Sequence, residues 1–231
     1  MSEFNRLPIS KICLNVTDAC NFNCRYCFVN KEPNHMPFSV ADDACRWLLK
    51  EAEGQKPRIF FFGGEPTLRW DDIIVPLVKK YPEIDFSITT NGYIFDKEKI
   101  DFMTENNFSV MLSMDGNEKT QSYNRNKNSF KHLDSIIPYL LEKIPYTNFR
   151  GTIIPATCEN TFENICYANN KGFRNCYFTI NIFEEWSAEA RYLLEEEIKK
   201  YTLAYIHSFI NDKHFINFTP FSSMIHLIIK Q

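Results

Sequence analysis

Short apolar runs alternate with longer stretches of helical periodicity along most of the chain. The apolar runs predict strands at 11–16, 58–62, 85–89, 109–113, 148–154 and 174–183. The periodic stretches predict helices at 39–53, 71–80, 96–106, 130–143, 159–171 and 188–211. The first of these helices is predicted to begin with Ser39 as its N-cap. The last segment, 214–231, is apolar and fits neither period.

Strand–helix alternation of this kind favours a parallel sheet with helices outside it. About six such units are visible, and each strand is too apolar for a sheet with one solvated face. The pattern predicts an α/β fold, best described as a partial (β/α)6 barrel of the TIM type. A doubly wound open sheet is the alternative. Because no linker or repeat interrupts the pattern, residues 1–231 are predicted to form a single domain.

Polar and glycine-rich motifs follow four successive predicted strands. A cysteine cluster comes after the first strand, Gly-Gly-Glu-Pro (63–66) after the second, Thr-Thr-Asn-Gly (89–92) after the third and Ser-Met-Asp-Gly (113–116) after the fourth. In either candidate fold, functional residues lie in loops after the carboxyl ends of the strands. The four motifs therefore predict one composite site.

Composition and charge narrow the function classes. The chain has 231 residues, of which 44% are hydrophobic and 24% charged, so it is not a disordered protein. Its formal net charge of -3 indicates no nucleic-acid partner and no anionic membrane partner. No run approaches the roughly 20 apolar residues of a membrane span, and the first ten residues do not resemble a secretory signal. We therefore expect a cytoplasmic protein, in which clustered cysteines indicate metal or redox chemistry rather than disulfides.

Three of the eight cysteines, Cys20, Cys24 and Cys27, have the spacing C-x3-C-x2-C. The others are scattered, and we expect Cys13 and Cys45 to be buried as small hydrophobic residues. A structural zinc site needs four ligands, and no fourth ligand lies nearby in the sequence. Three thiolates can instead ligate three irons of a [4Fe–4S] cluster, which leaves the fourth iron open to a substrate or cofactor.

The cysteine motif, with Tyr26 just before its last cysteine, resembles the signature of radical S-adenosylmethionine (SAM) enzymes. The three later motifs match that family in type and order, and the resemblance extends over about residues 11–183. It implies that Cys20, Cys24 and Cys27 hold a [4Fe–4S] cluster whose open iron binds SAM. It also implies that the reduced cluster cleaves SAM to a 5′-deoxyadenosyl radical, which abstracts a hydrogen atom from the substrate.

The resemblance also implies which residues bind SAM near the cluster. Gly63 and Gly64 would let the backbone approach the ligand, and Glu65 with this backbone would meet the methionyl amino group. The flat face of Tyr26 would pack on the adenine. A plain turn for the glycines and a core position for Tyr26 are the structural alternatives.

A second group of predicted SAM contacts lies around the fourth strand. Ser113 and Asp115 would bind the ribose hydroxyls, although each could instead cap a helix or form a turn. Arg125 follows Ser113 by twelve residues, as does an arginine that contacts the SAM carboxylate in the peptide-modifying branch. A solvated loop position is the alternative for Arg125. Asn91 is either part of the polar lining or a turn residue. No residue is assigned as a general acid or base.

The motifs most resemble those of enzymes that modify ribosomally made peptides or proteins, such as sactipeptide, ranthipeptide and anaerobic sulfatase maturases. We therefore expect a peptide or protein substrate and a reductant such as flavodoxin or ferredoxin. These enzymes usually carry a C-terminal SPASM or twitch extension with more cysteines, whereas no cysteine follows Cys176 here. The tail, 212–231, resembles the segment just before that extension, so the chain is either a core from a longer protein or a short enzyme.

Three alternatives remain open. One is a small-molecule radical SAM enzyme, and another is a glycyl-radical-activating enzyme. A third is a truncated core that binds a cluster without turnover. A second cluster held by Cys158, Cys166 and Cys176 is disfavoured, since they lie eight and ten residues apart on a predicted helix and strand.

Overall fold

The computed structural model describes residues 7–211, 213–219, 221, 222 and 224. Its strands are β1 (Lys11–Thr17), β2 (Arg58–Gly63), β3 (Asp85–Thr90), β4 (Ser109–Ser113), β5 (Asn148–Ile153), β6 (Asn175–Ile180) and β7 (Asn217–Thr219). Its helices are α1 (Phe38–Glu51), α2 (Val75–Lys80), α3 (Lys97–Glu105), α4 (Glu118–Asn124), α5 (Ser129–Lys143), α6 (Thr161–Asn170) and α7 (Ala188–Ile210).

The strands belong to one seven-stranded sheet in the order of the chain. Strands β1 to β3 pair in parallel, as do β4 to β7. The predicted parallel α/β class is confirmed, and all six predicted strands are present. The seventh strand falls in the tail, which has no clear period in the sequence. Half of the predicted extension-like segment, 212–231, lies outside the described residues.

The chain divides into two compact units, so the prediction of a single domain stays a prediction. The first unit contains the chain up to Asn21, Phe28–Thr90 and Lys97–Val110. The second contains Phe22–Cys27, Asn91–Asp96 and the chain from Met111 onwards.

In the first unit, a stack of phenylalanine rings forms the core over β2 and β3. The rings of Phe61 and Phe86 are parallel, with centroids 5.5 Å apart, and Phe108 stacks on both. Residues alternate across these strands, so side chains on one face pack into the core. On β1 the inward positions are Leu14 and Val16.

The alternation on β1 corrects one prediction about the cysteines. Cys13 is exposed, because it directly precedes the inward-facing Leu14 and so faces the other side of the strand. Cys45 is buried on α1, as predicted, and burial raises the pKa of its thiol to about 12.

The first two helices differ from their predicted starts. Helix α1 begins at Phe38 with Pro37 as its N-cap, so the prediction of Ser39 as N-cap is wrong. Pro37 holds the extended conformation that ends the preceding segment, and Ser39 lies within the first turn. The helix predicted at 71–80 begins as a 3-10 turn, Pro66–Arg69, continues as a π-type turn, Trp70–Ile74, and becomes α-helical only in α2.

In the second unit, alternate residues of β5 separate a core face from a polar face. Phe149 and Ile153 are buried, whereas Asn148, Arg150 and Thr152 are half-buried. The core face continues across the pairs Phe149 with Cys176 and Cys176 with Phe218. The polar face of β5 therefore presents side chains, among them Arg150 and Thr152, that are not part of the apolar core.

Helix α4 is an α-helix that the periodicity does not predict. It has only seven residues, and its apolar content is too low to show a helical period. The side chain of Asn117 caps it by accepting a hydrogen bond from the Thr120 N–H. Among the described helices, none is long and apolar enough to cross a membrane.

Candidate functional site

The second half of the cysteine motif forms a tight turn in the second unit. The Cys27 N–H donates to the Cys24 carbonyl over 3.2 Å, which brings these two residues into one turn. Cys24 is half-buried and Cys27 is exposed, while Cys20 is half-buried in the first unit. All eight cysteines lie in the described part of the chain, and none of them forms a disulfide. Within the described part of the chain, no three His, Cys, Asp or Glu side chains surround one point as ligands of a single metal ion.

In the first unit, the Gly63–Gly64 turn packs against the segment that leads to Cys20. The Gly64 N–H donates to the Thr17 carbonyl over 2.7 Å, and the Glu65 N–H donates to the Ala19 carbonyl over 2.9 Å. A Cβ atom at Gly63 would overlap the Thr17 carbonyl oxygen, and φ is +138° there. A Cβ atom at Gly64 would overlap the Ala19 carbonyl oxygen. Both glycines are therefore required by contacts within the chain itself.

Glu65 is almost fully buried at the end of this turn. Its Oε1 atom accepts hydrogen bonds from the Thr67 N–H over 3.1 Å, from the Thr67 hydroxyl over 2.5 Å and from the Thr90 hydroxyl over 2.6 Å. The carboxylate also caps the 3-10 turn Pro66–Arg69. Glu65 thus links the loop after β2 to the last residue of β3.

Asn91 and Ser113 occupy different kinds of position in the second unit. Asn91 is buried, and its Oδ1 atom accepts a hydrogen bond from the Tyr93 N–H over 2.9 Å. This hydrogen bond is typical of a turn residue, which is one of the two roles that the sequence allows for Asn91. Ser113 is the half-buried last residue of β4, and it pairs in register with Arg150 on β5.

A buried network joins Asp115, Arg125 and Tyr26 in the second unit. The Asp115 carboxylate accepts a hydrogen bond from Arg125 Nη2 over 3.0 Å and another from the Tyr26 hydroxyl over 2.7 Å. It also accepts one from the Thr152 N–H over 2.9 Å. Its side chain is 0% exposed, so the protein itself uses this carboxylate. The direct contact between Asp115 and a ribose stays a prediction, and in this structure the carboxylate is bound by Arg125, Tyr26 and Thr152.

Arg125 is the residue of this network with spare hydrogen-bonding capacity. Its side chain is 8% exposed, and its guanidinium carbon lies 5.5 Å from the centre of the Tyr26 ring. Its Nε atom is buried with no hydrogen-bond acceptor among the described residues. Arg125 is thus a buried residue and not the solvated loop residue of the alternative interpretation.

Burial and neighbouring charges set the protonation states of the network. Burial raises the pKa of Tyr26 well above its ordinary value, and Asp115 adds to that rise while Arg125 opposes it. Tyr26 therefore stays a neutral donor. Burial tends to lower the pKa of Arg125, but Asp115, Tyr26 and Cys24 together outweigh it and the pKa is raised. On β5, burial and then the charge of Arg125 lower the pKa of Arg150.

Three residues of this network are missing from the sequence-based predictions. Gln121 on α4 is fully buried, accepts a hydrogen bond from the Asp115 N–H over 2.9 Å and donates to the Ser129 hydroxyl. Thr152 and Arg150 contribute from β5. The Asn117 capping signal could have located α4, and with it Gln121, but nothing local in the sequence marks Arg150 or Thr152.

Comparison with known proteins places this chain in a family. The family model described as the radical SAM superfamily matches residues 14–196. A radical SAM cyclopropyl synthase, TigE, from Paramaledivibacter caminithermalis is 27% identical over 184 residues, which are 70% of this chain and 38% of TigE. A cysteine-type anaerobic sulfatase-maturating enzyme from Clostridium perfringens is 32% identical over 133 residues, which are 51% of this chain and 36% of the enzyme. A GTP 3′,8-cyclase from Haemophilus influenzae is 32% identical over 109 residues, which are 44% of this chain and 32% of the cyclase.

Solved structures show the same fold. The anSMEcpe structure with bound AdoMet and the Cp18Cys peptide has a TM-score of 0.78 at 22% identity, and the match covers 94% of this chain and 65% of that one. The structure of Streptococcus suis SuiB bound to its precursor peptide SuiA has a TM-score of 0.67 at 19% identity, with 92% and 48% covered. The chain spans less than two fifths of the length of the curated relatives named above.

The predicted family and the predicted barrel-type fold are confirmed by these matches. Enzymes of this family use a [4Fe–4S] cluster and SAM, which confirms the predicted cofactors at the level of the family. With most of its length inside the family match, this chain belongs to the radical SAM superfamily.

Proposed function

We propose that this chain cleaves SAM reductively at a [4Fe–4S] cluster in order to modify a ribosomally made peptide or protein. The observation that carries the proposal is the family match over residues 14–196, which contains the complete cysteine motif. The relatives include a sulfatase-maturating enzyme, and two fold neighbours have peptides bound. Because the chain spans only part of these relatives, the activity and the substrate are both part of the proposal.

The cysteine motif has the chemistry that a cluster requires. Cys20, Cys24 and Cys27 are thiols outside disulfides, and thiolates are the usual ligands of iron–sulfur clusters. We assign these three residues as the ligands of three irons, with the fourth iron left for SAM. When bound and reduced, the cluster supplies the electron that breaks the S–C5′ bond of SAM, and the resulting radical abstracts hydrogen from the substrate.

Arg125 is assigned to the SAM carboxylate. Leaving a buried donor such as its Nε atom without an acceptor costs about 1 to 3 kcal/mol, which a carboxylate ligand would offset. Asp115 holds the guanidinium through Nη2 and so directs it without occupying Nε. The role of Asp115 is therefore to position Arg125 and Tyr26 rather than to bind the ribose.

The other predicted contacts keep narrower roles in the proposal. Ser113 is half-buried at the end of β4, and its hydroxyl would form a hydrogen bond with the ribose of SAM. Glu65 and the backbone after Gly64 would face the methionyl amino group. Tyr26 offers its ring to the adenine, and Asn91 shapes the turn after β3. These residues bind and orient SAM, and none of them transfers a proton.

The proposal is tested by anaerobic reconstitution with iron and sulfide, followed by reduction with SAM and an assay for 5′-deoxyadenosine. The wild-type chain should bind about four irons and form 5′-deoxyadenosine. Cys24→Ala should lose both, since two thiolates hold such a cluster poorly. The matched control is Cys13→Ala, which removes an exposed thiol outside the motif and should retain both. Full iron content and thiolate-to-iron absorption in Cys24→Ala would exclude the ligand assignment.

Arg125→Ala tests the assignment of the SAM carboxylate. The variant should bind SAM about 10- to 100-fold more weakly, the scale of one hydrogen bond between charged groups. Arg174→Ala is the control, because Arg174 is an exposed arginine stacked on the Tyr146 ring. Equal SAM affinity in the two variants would remove Arg125 from the site.

A small-molecule substrate is the second candidate, and the match to GTP 3′,8-cyclases favours it. The two candidates separate when GTP is added to the 5′-deoxyadenosine assay. Stimulation by GTP would favour the second candidate. No response to GTP, together with stimulation by a peptide encoded near the gene, would favour the first. In either case we propose a cytoplasmic enzyme reduced by a flavodoxin or ferredoxin.

A further inference from the structure

Arg25 lies inside the cysteine motif, between Cys24 and Tyr26, and its side chain is on the surface. Its backbone N–H donates to the Asn124 carbonyl over 2.9 Å. Its Nε atom donates to the Tyr123 carbonyl over 2.8 Å, and its guanidinium carbon lies 4.1 Å from the centre of the Tyr123 ring. A surface arginine thus makes three contacts with one helix end that is almost 100 residues away in the sequence.

These contacts satisfy the C-terminus of α4. The last carbonyl groups of an α-helix have no partners within the helix, and Tyr123 and Asn124 are the last two residues of α4. A positive charge at this end also interacts favourably with the helix dipole. Stacking of the guanidinium on the Tyr123 ring adds a cation–π contact. Arg25 therefore caps α4 from a separate segment of the chain.

Helix α4 depends on such contacts because it is short. A helix of seven residues is marginal by itself, since nucleation is unfavourable and few bonds follow it. Asn117 stabilises its first turn, and Arg25 occupies the last. The residue directly after the helix is Arg125, which is its C-cap.

The next residue of the cysteine motif makes a second connection to the same region. The Tyr26 hydroxyl donates to Asp115, which holds Arg125, and the Arg125 guanidinium lies over the Tyr26 ring. Two consecutive residues of the motif, Arg25 and Tyr26, therefore contact the region around the C-terminus of α4. One contacts the last carbonyls of α4, and the other contacts the arginine that follows them.

We infer that Arg25 is a positioning residue that couples the 22–27 segment to Arg125 through the C-terminus of α4. The inference rests on the proposed function only in taking Cys24 and Cys27 as cluster ligands and Arg125 as the SAM contact. Order at the end of α4 keeps both the cysteine turn and Arg125 in place. Loss of the Arg25 contacts loosens both at once.

The first test needs neither the cluster nor SAM. Hydrogen exchange is measured in the 231-residue chain without iron, for wild type, Arg25→Ala, Arg25→Lys and Arg174→Ala. Amides of 120–125 should exchange about tenfold faster in Arg25→Ala, the scale of one lost hydrogen bond, while those of β5 should not change. Arg25→Lys should be intermediate, because lysine keeps the charge but lacks the planar group that stacks on Tyr123.

Arg174→Ala is the matched control for this test. It removes an arginine that also stacks on a tyrosine, at 5.2 Å from the Tyr146 ring, but is not the cap residue of either neighbouring described helix, α5 or α6. Exchange at 120–125 in this variant should equal that of wild type. Equal exchange at 120–125 in Arg25→Ala and Arg174→Ala would overturn the inference. If Arg25→Ala did not fold, the same comparison between Arg25→Lys and Arg174→Ala would decide it.

The second test measures coupling in the reconstituted protein. Arg25→Ala should bind SAM about threefold to tenfold more weakly and release iron faster to a chelator, with Arg25→Lys between it and wild type. Unchanged SAM affinity together with faster exchange would overturn the coupling to Arg125. If wild type itself bound neither iron nor SAM, the proposed function would fail. The exchange result would still decide whether Arg25 holds α4.

Discussion

The Gly63–Gly64–Glu65 turn of the first unit and the Asp115–Arg125 pair of the second both contain residues that are predicted to contact SAM, but their hydrogen bonds differ. In the turn, the backbone and the Oε1 atom of Glu65 bind groups of the same unit. In the pair, Asp115 is similarly used by the protein, but Arg125 keeps a buried Nε with no acceptor among the described residues.

This comparison separates two ways in which a motif residue serves a site. Gly63, Gly64 and Glu65 form a turn that packs against the segment before Cys20. Contacts within the chain therefore explain these residue types without any ligand. Arg125 has a donor that the protein does not satisfy. A buried donor of this kind costs free energy unless a ligand supplies the acceptor, and it therefore points to binding.

The largest expected effect is from Asp115→Asn. Removing one partner of a buried ion pair leaves the Arg125 charge uncompensated, so we expect the free energy of unfolding to fall by about 3 to 5 kcal/mol. Urea denaturation measures the change. Asp134→Asn is the control, because the Asp134–Lys171 pair is about one third exposed and should cost under about 1 kcal/mol. Similar losses in both variants would mean that Asp115 is no more than an ordinary surface partner.

Gly63→Ala should be the next most destabilising change. Its Cβ atom would overlap the Thr17 carbonyl in a backbone conformation that favours glycine, so a loss of about 3 kcal/mol is expected in urea denaturation. Gly54→Ala separates the two causes, since Gly54 also has positive φ but has nothing within 4 Å of its added Cβ. If both variants lost the same stability, the close packing against Thr17 would not be what requires glycine.

Tyr26→Phe should cost about 2 kcal/mol, because it removes a hydrogen bond to a charged group while keeping the ring under Arg125. The effect has a pH signature. Since the pKa of Tyr26 is raised in the folded protein, its contribution is fully present below the ordinary tyrosine pKa of about 10 and is lost as pH rises further. Unfolding measured from pH 8 to 11 should show a steeper alkaline loss in wild type than in the variant. Parallel curves would show that Tyr26 does not titrate as its burial predicts.

The smallest effect is expected for Glu65→Gln, at about 1 kcal/mol. The amide oxygen can still accept hydrogen bonds from Thr67 and Thr90, so only the charge assistance is lost. Thermal unfolding of the variant checks this value. A loss as large as that of Asp115→Asn would mean that the two carboxylates are equally indispensable, and the contrast between the two units would disappear.

Much of the fold is visible in the sequence, because buried strands and amphipathic helices have distinct periods. The predicted strand at 109–113 matches β4, and the predicted helix at 188–211 matches α7 to within one residue. Helix α4 is absent from that prediction because a short helix with few apolar residues has no period. The prediction that Cys13 is buried is wrong, because a short apolar run does not reveal which face of the strand packs inward.

The sequence by itself determined the family, the cysteine spacing and the order of the motifs, since all three depend on residue types at short separations. Tertiary structure decided the rest of the site. Only the fold brings Tyr26 to Asp115, 89 positions away, and Arg25 to the end of α4. Only burial shows that Asp115 is used by the protein while Arg125 retains a donor. These properties depend on which distant groups share a neighbourhood without water, and no local pattern records that.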